Sequence, residues 1–217
     1  MIFEPIKAYC ERQGPGLWEE PLSLIAATVM TVAALHLWRR LAGNRPYQLL
    51  ALLLAVVGLA SIVVHARING LTTALVLSAM GLFALALFYR MLRDLSGLAP
   101  LPAAVGTLIF LPFTVAAMPL LTLSAAVEAN LALAPFPILM LGIAAVLRSQ
   151  HAALAREVFV AALGLSVAIV LRGLDSPLCA VWPWGTHFLY ILLSTAALVR
   201  LLSVLARHAL AARGGGG

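Results

Sequence analysis

Residues 172–190 read Arg-Gly-Leu-Asp-Ser-Pro-Leu-Cys-Ala-Val-Trp-Pro-Trp-Gly-Thr-His-Phe-Leu-Tyr. This polar island carries an acid (Asp175), one of two cysteines (Cys179), two tryptophans and a histidine (His187), and apolar runs at 157–172 and 185–206 flank it. The second run has the length and character that cross a hydrocarbon core. Working back toward the N-terminus, further apolar runs occupy about 22–38, 48–66, 71–89, 101–121 and 128–147. Seven such runs joined by short connections predict an all-α integral membrane bundle of seven transmembrane helices, with successive helices antiparallel. Pro112, Pro119, Pro135 and Pro137 interrupt the fourth and fifth runs.

Composition agrees. The chain is 63% hydrophobic and 10% charged with a mean hydropathy of +1.05, which excludes an ordinary soluble domain. Its net charge of +6 therefore reads as membrane topology, and no nucleic-acid partner is implied. With seven spans, Arg39, Arg40, Arg45, Arg90, Arg93, Arg148, Arg156, Arg200, Arg207 and Arg213 share one face. Lys7, Arg12, Arg67 and Arg172 share the other, a bias of ten against four. Basic residues collect on the cytoplasmic side, so the N-terminus is expected outside and the C-terminus in the cytoplasm. Three parts follow: an extracytoplasmic segment over 1–21, a transmembrane domain over 22–206 and a flexible, glycine-ended cytoplasmic tail over 207–217. The N-terminus is acidic and amphipathic, which is not the pattern of a cleavable signal peptide. A bacterial inner membrane is the expected location.

Three polar islands meet on the outer side in this topology. Cys10 and Cys179 lie there in an oxidising compartment, where they form either a disulfide or two free buried thiols. Ser61 and His65, four apart, share a helix face; they read as an interfacial histidine with a helix-packing serine, or as part of a site with His187. Two histidines fall short of the three or four protein ligands of a zinc site. Glu11 and Glu20 flank a Gly14-Pro15-Gly16 turn, where oxygen ligands suit calcium and an acidic loop at the surface suits the same pattern. Asp175 and Arg172 read as a capping or ion-pair feature, and Trp18, Trp182 and Trp184 as an aromatic belt.

Cys10-Glu11-Arg12 with Gly14, Gly16-Leu17-Trp18 and Glu20-Pro21, then Ser61-x-x-x-His65, then Cys179 with Gly185-Thr186-His187-Phe188-Leu189, resemble the bacterial branch of the alkaline-ceramidase family. That family belongs to a superfamily of seven-helix membrane hydrolases that includes the adiponectin-receptor-like proteins. The resemblance implies a zinc ion near one membrane face, held by a span-two histidine and two span-seven histidines, activating water to cleave a lipid amide. His65 and His187 fall on two of these ligand positions, and Ser61 falls on the family's serine. Glu11 and Glu20 fall on calcium-site positions, with Tyr9 and Gln13 in the same loop. The chain departs from the pattern at three places: Ile191 stands at the second span-seven histidine, no carboxylate occurs near Val76 where an acid belongs, and Ala8 replaces a calcium-loop aspartate. Glu128, Asp175 and Tyr190 are the candidate substitutes for the missing groups.

Two functions follow. One is a protein with an incomplete zinc-hydrolase site, non-catalytic, binding membrane lipids of sphingolipid type or serving as a structural subunit of a membrane complex. The alternative is an active zinc-dependent intramembrane amidohydrolase acting on ceramide-like amides. A transporter is disfavoured because no ionisable residue falls in mid-membrane.

Overall fold

The computed structural model describes residues 9–14, 16–121 and 134–214. Among these residues the fold is all-α, with helices α1 (Pro21–Arg40), α2 (Arg45–Ala66), α3 (Gly70–Asp94), α4 (Pro100–Leu121), α5 (Pro135–Leu147), α6 (Ala152–Leu178) and α7 (His187–Gly214). Five of them (α1, α2, α3, α6 and α7) are long and apolar enough to cross a membrane, while the apolar stretches Pro100–Phe113 and Pro135–Leu147 are shorter.

Local chemistry sets the helix starts. Proline opens α1, α2 and α5 in the first turn, where its missing N–H costs nothing. Asn69 begins α3 with a reciprocal cap: its side-chain oxygen accepts from the Thr72 N–H, and the Thr72 hydroxyl accepts from the Asn69 N–H, each at 3.0 Å. The helices pack in chain order as a ring, each against the next, and α7 closes against α1. Gly58 lets α1 and α2 approach closely, since a Cβ there would stand 2.4 Å from the Thr31 hydroxyl. The packed core runs through Leu50, Leu54, Leu87, Met91, Leu201, Leu202 and Leu205. Near the far end, the fully buried Tyr47 donates to Asp94 at 2.6 Å, and Arg90 pairs with the same carboxylate. Leu52, Leu59, Leu75, Leu82 and Val170 face outward and exposed, the arrangement expected where the surrounding solvent is hydrocarbon.

Two boundaries differ from the sequence reading. The helix expected to end at 172 continues to Leu178, and Pro177 sits in its final turn. Proline removes one donor and disfavours helix before it, so it ends the helix here without breaking its middle. The tail expected from 207 is helical through Gly214, because Leu205, Ala206 and Ala209 still pack inward and alanine favours helix. The first part of the fifth apolar run, with Glu128, lies outside the described residues.

Candidate functional site

Antiparallel succession brings the start of α1, the end of α2, the end of α6 and the start of α7 to one end of the ring. The N-terminal segment lies across that end. A disulfide between Cys10 and Cys179 ties it to the turn after α6, with Cα atoms 5.3 Å apart. Asp175 organises the same junction. One carboxylate oxygen accepts the Thr186 and His187 N–H groups at 2.7 and 2.9 Å, and the other accepts the Cys10 N–H at 3.0 Å. A side chain in the last turn of α6 therefore caps α7 and anchors the N-terminal segment together. Gly185 makes room for it: its φ is +65°, and a Cβ would fall 2.1 Å from an Asp175 oxygen. The capping role anticipated for Asp175 is thus present, with no ion pair between it and Arg172 among the described residues.

Glu11 and Glu20 are both engaged by protein donors. Glu11 accepts the backbone N–H groups of Leu22 and Ser23 and the Ser23 hydroxyl, the last two at 3.1 and 2.8 Å, which caps α1. Glu20 is buried between the Arg12 guanidinium and Nδ1 of His65, the latter at 2.5 Å. Arg12 is saturated further by the carbonyls of His65 and Gly14 at 2.8 and 3.2 Å. Gln13 donates to the Cys10 carbonyl.

The two histidines meet. Their ring centres are 5.1 Å apart, and both are buried. Tyr9 stacks on His187 at 3.9 Å, with Tyr190 on another side at 5.4 Å. Arg172 completes the cluster. Its Cζ lies 5.6 Å from the Tyr9 ring and 5.3 Å from the Tyr190 ring, and its Nη1 is 3.3 Å from His187 Nδ1. This donor set does not fit zinc. A permanent guanidinium charge sits against one of the two imidazoles, Ile191 is buried one turn after His187, and Val76 supplies no lone pair. Among the described residues no three His, Cys, Asp or Glu side chains are grouped to hold a metal ion.

Inside the ring, below these rings, lies a cavity of about 660 Å³. Tyr9, Ser61, His65, Thr73, Arg172, Asp175 and His187 line its polar end. Val76, Leu77, Met80, Phe83, Ile169, Ile191 and Leu198 line its apolar remainder. From His65 to Leu54, both on its wall, α2 rises about 16 Å. Among the described residues, the Thr73 hydroxyl and Nε of Arg172 are buried without a hydrogen-bond partner.

Comparisons with protein-family models, curated proteins and solved structures returned no match. The residues themselves therefore carry any reading of function.

Of the residues singled out in the sequence, Ser61, His65, His187, Glu20, Asp175 and Tyr190 gather at or beside the cavity, together with the disulfide. Glu11 stands apart as a helix cap, and Glu128 lies outside the described residues. Sequence reasoning passed over Arg172 as a site residue by reading it, with Asp175, as a capping or ion-pair feature at the end of the 157–172 run. Its signal was the helical pattern running on to Pro177, which places the arginine inside the last turns of a span.

Proposed function

We propose that this is a seven-span integral membrane protein, N-terminus outside, of ceramidase-like architecture, whose outer-facing cavity holds one lipid-type amphiphile without cleaving it. One observation carries the reading: a largely apolar cavity of about 660 Å³ with its charged and aromatic polar groups, Tyr9, His65, Arg172, Asp175 and His187, gathered at one end. That volume is in the range of small-molecule sites, and the segregation of polar and apolar walls matches a headgroup and a chain. A depth of about 16 Å is close to half the hydrocarbon thickness of a bilayer, the span of one leaflet's chains. The donor set around His65 and His187 supports binding without hydrolysis, because among the described residues it offers no third metal ligand and it places a cation among the rings. A structural role within a larger membrane complex is compatible with the same cavity.

One contact favours the alternative, an active amidohydrolase of the bacterial inner membrane. Glu20 at 2.5 Å from His65 Nδ1 is the carboxylate–histidine arrangement that orients imidazoles for ligation or proton transfer. Native mass spectrometry with metal analysis of the purified protein separates the two. One retained amphiphile per chain with substoichiometric zinc supports the binding reading. Stoichiometric zinc, lost on His65→Ala, together with release of fatty acid from ceramide, overturns it.

A further inference from the structure

Two arginines reach the polar end of the bundle, and they are treated differently. Arg12 is closed: a carboxylate and two carbonyls take up its donors. Arg172 is open. Among the described residues it has no ion pair, its guanidinium meets the His187 nitrogen and the Tyr9 side chain, and its buried Nε has no hydrogen-bond partner. Guanidinium remains charged in proteins. A charge withdrawn from water without a counter-ion is costly, and aromatic faces offset only part of that cost. Tyr9 and Tyr190 set their rings 5.6 and 5.3 Å from its Cζ and hold the group in place. Asp175, three residues further on, already accepts from three backbone N–H groups. Arg172 lines the cavity.

We propose that Arg172 is the headgroup anchor of this cavity, and that the ligand is an anionic amphiphile whose carboxylate or phosphate pairs with the guanidinium while its chain fills the apolar wall. This rests on the lipid-binding reading and narrows it: a neutral amide lipid leaves the charge unanswered, whereas a planar carboxylate or a phosphate can take two N–H donors at once. The unpartnered Thr73 hydroxyl on the same wall adds a second donor for the head.

The test uses the full-length protein in a mild detergent, with oleate, methyl oleate and oleoyl lysophosphatidate as probes and bound mass read by native mass spectrometry. Wild type should bind oleate or the lysophosphatidate at least about tenfold more tightly than the uncharged ester, since charge-assisted hydrogen bonds are the strong ones. Which of the two anions binds more tightly identifies the head. Arg172→Gln should reduce that preference to about twofold or less, and Arg172→Lys, which keeps the charge but not the paired donors, should retain part of it. Equal binding of acid and ester by wild type overturns the proposal yet leaves the cavity reading intact. Failure of all three probes to bind overturns both. The acid-to-ester comparison is made within wild type, so it stands even if Arg172→Gln does not fold.

Discussion

Asp175→Ala is the most revealing single change, because three chain segments depend on one carboxylate. The substitution leaves the N–H groups of Cys10, Thr186 and His187 without their acceptor at a junction where Asp175 and His187 are buried. A buried donor stripped of its partner costs about 1–3 kcal/mol, and loss of a helix cap alone costs about 0.5–2 kcal/mol. Three donors with some relaxation toward the bundle mouth give a loss of about 3–5 kcal/mol. For a chain of this size, about 2–4 °C per kcal/mol translates this into a fall in Tm of about 10 °C. Asp175→Asn keeps one oxygen for Thr186 and His187 but turns an amide toward the Cys10 N–H, so about half the loss is expected. The assay is thermal unfolding in detergent at one scan rate, followed by tryptophan fluorescence. An Asp175→Ala protein melting within about 2 °C of wild type would show that the carboxylate does not hold the junction.

Three further outcomes are expected. Cys10→Ser should lower stability by about 4–5 kcal/mol on the chain-entropy model, since the bridge spans 169 residues; mass spectrometry without reductant showing two alkylatable thiols in wild type would refute the premise. Glu20→Gln should destabilise by about 3–5 kcal/mol, because it removes the only carboxylate among the described residues paired with the buried Arg12 and releases His65; an unchanged melt would mean that neither group needs the charge. Ile191→His combined with Val76→Asp should bind zinc measurably by calorimetry, and adding Arg172→Gln should tighten it by removing a cation from beside His187. No gain from the third change would mean that the guanidinium does not oppose a metal there.

The all-α class, the long apolar helices and the seven helices among the described residues were legible because they depend on length, period and the scarcity of charge, all local properties of the chain. The proximity of His65, His187 and the cysteine pair was also legible, because antiparallel succession forces alternate helix ends to one side. Boundaries were less so. Whether Ser176-Pro177 belongs to loop or helix, and whether residues 207–214 form a tail, depended on packing that the local sequence does not display.

What each polar group does was decided only in three dimensions. From the sequence, Glu11 and Glu20 were equivalent acids beside one turn. In the fold, one takes the free N–H groups of α1 and the other lies between Arg12 and His65. Arg172 counted in the sequence as one basic residue outside and, with Asp175, as a capping or ion-pair feature. Folding places it among two tyrosines and a histidine, beside a cavity and, among the described residues, without an ion-pair partner. Sequence spacing fixes which face and which end of a helix a side chain occupies, whereas a partner is chosen by contacts between segments up to 165 residues apart, as for Cys10 and Asp175. Charge at this site acquires its meaning from burial, and burial belongs to the assembled ring of helices.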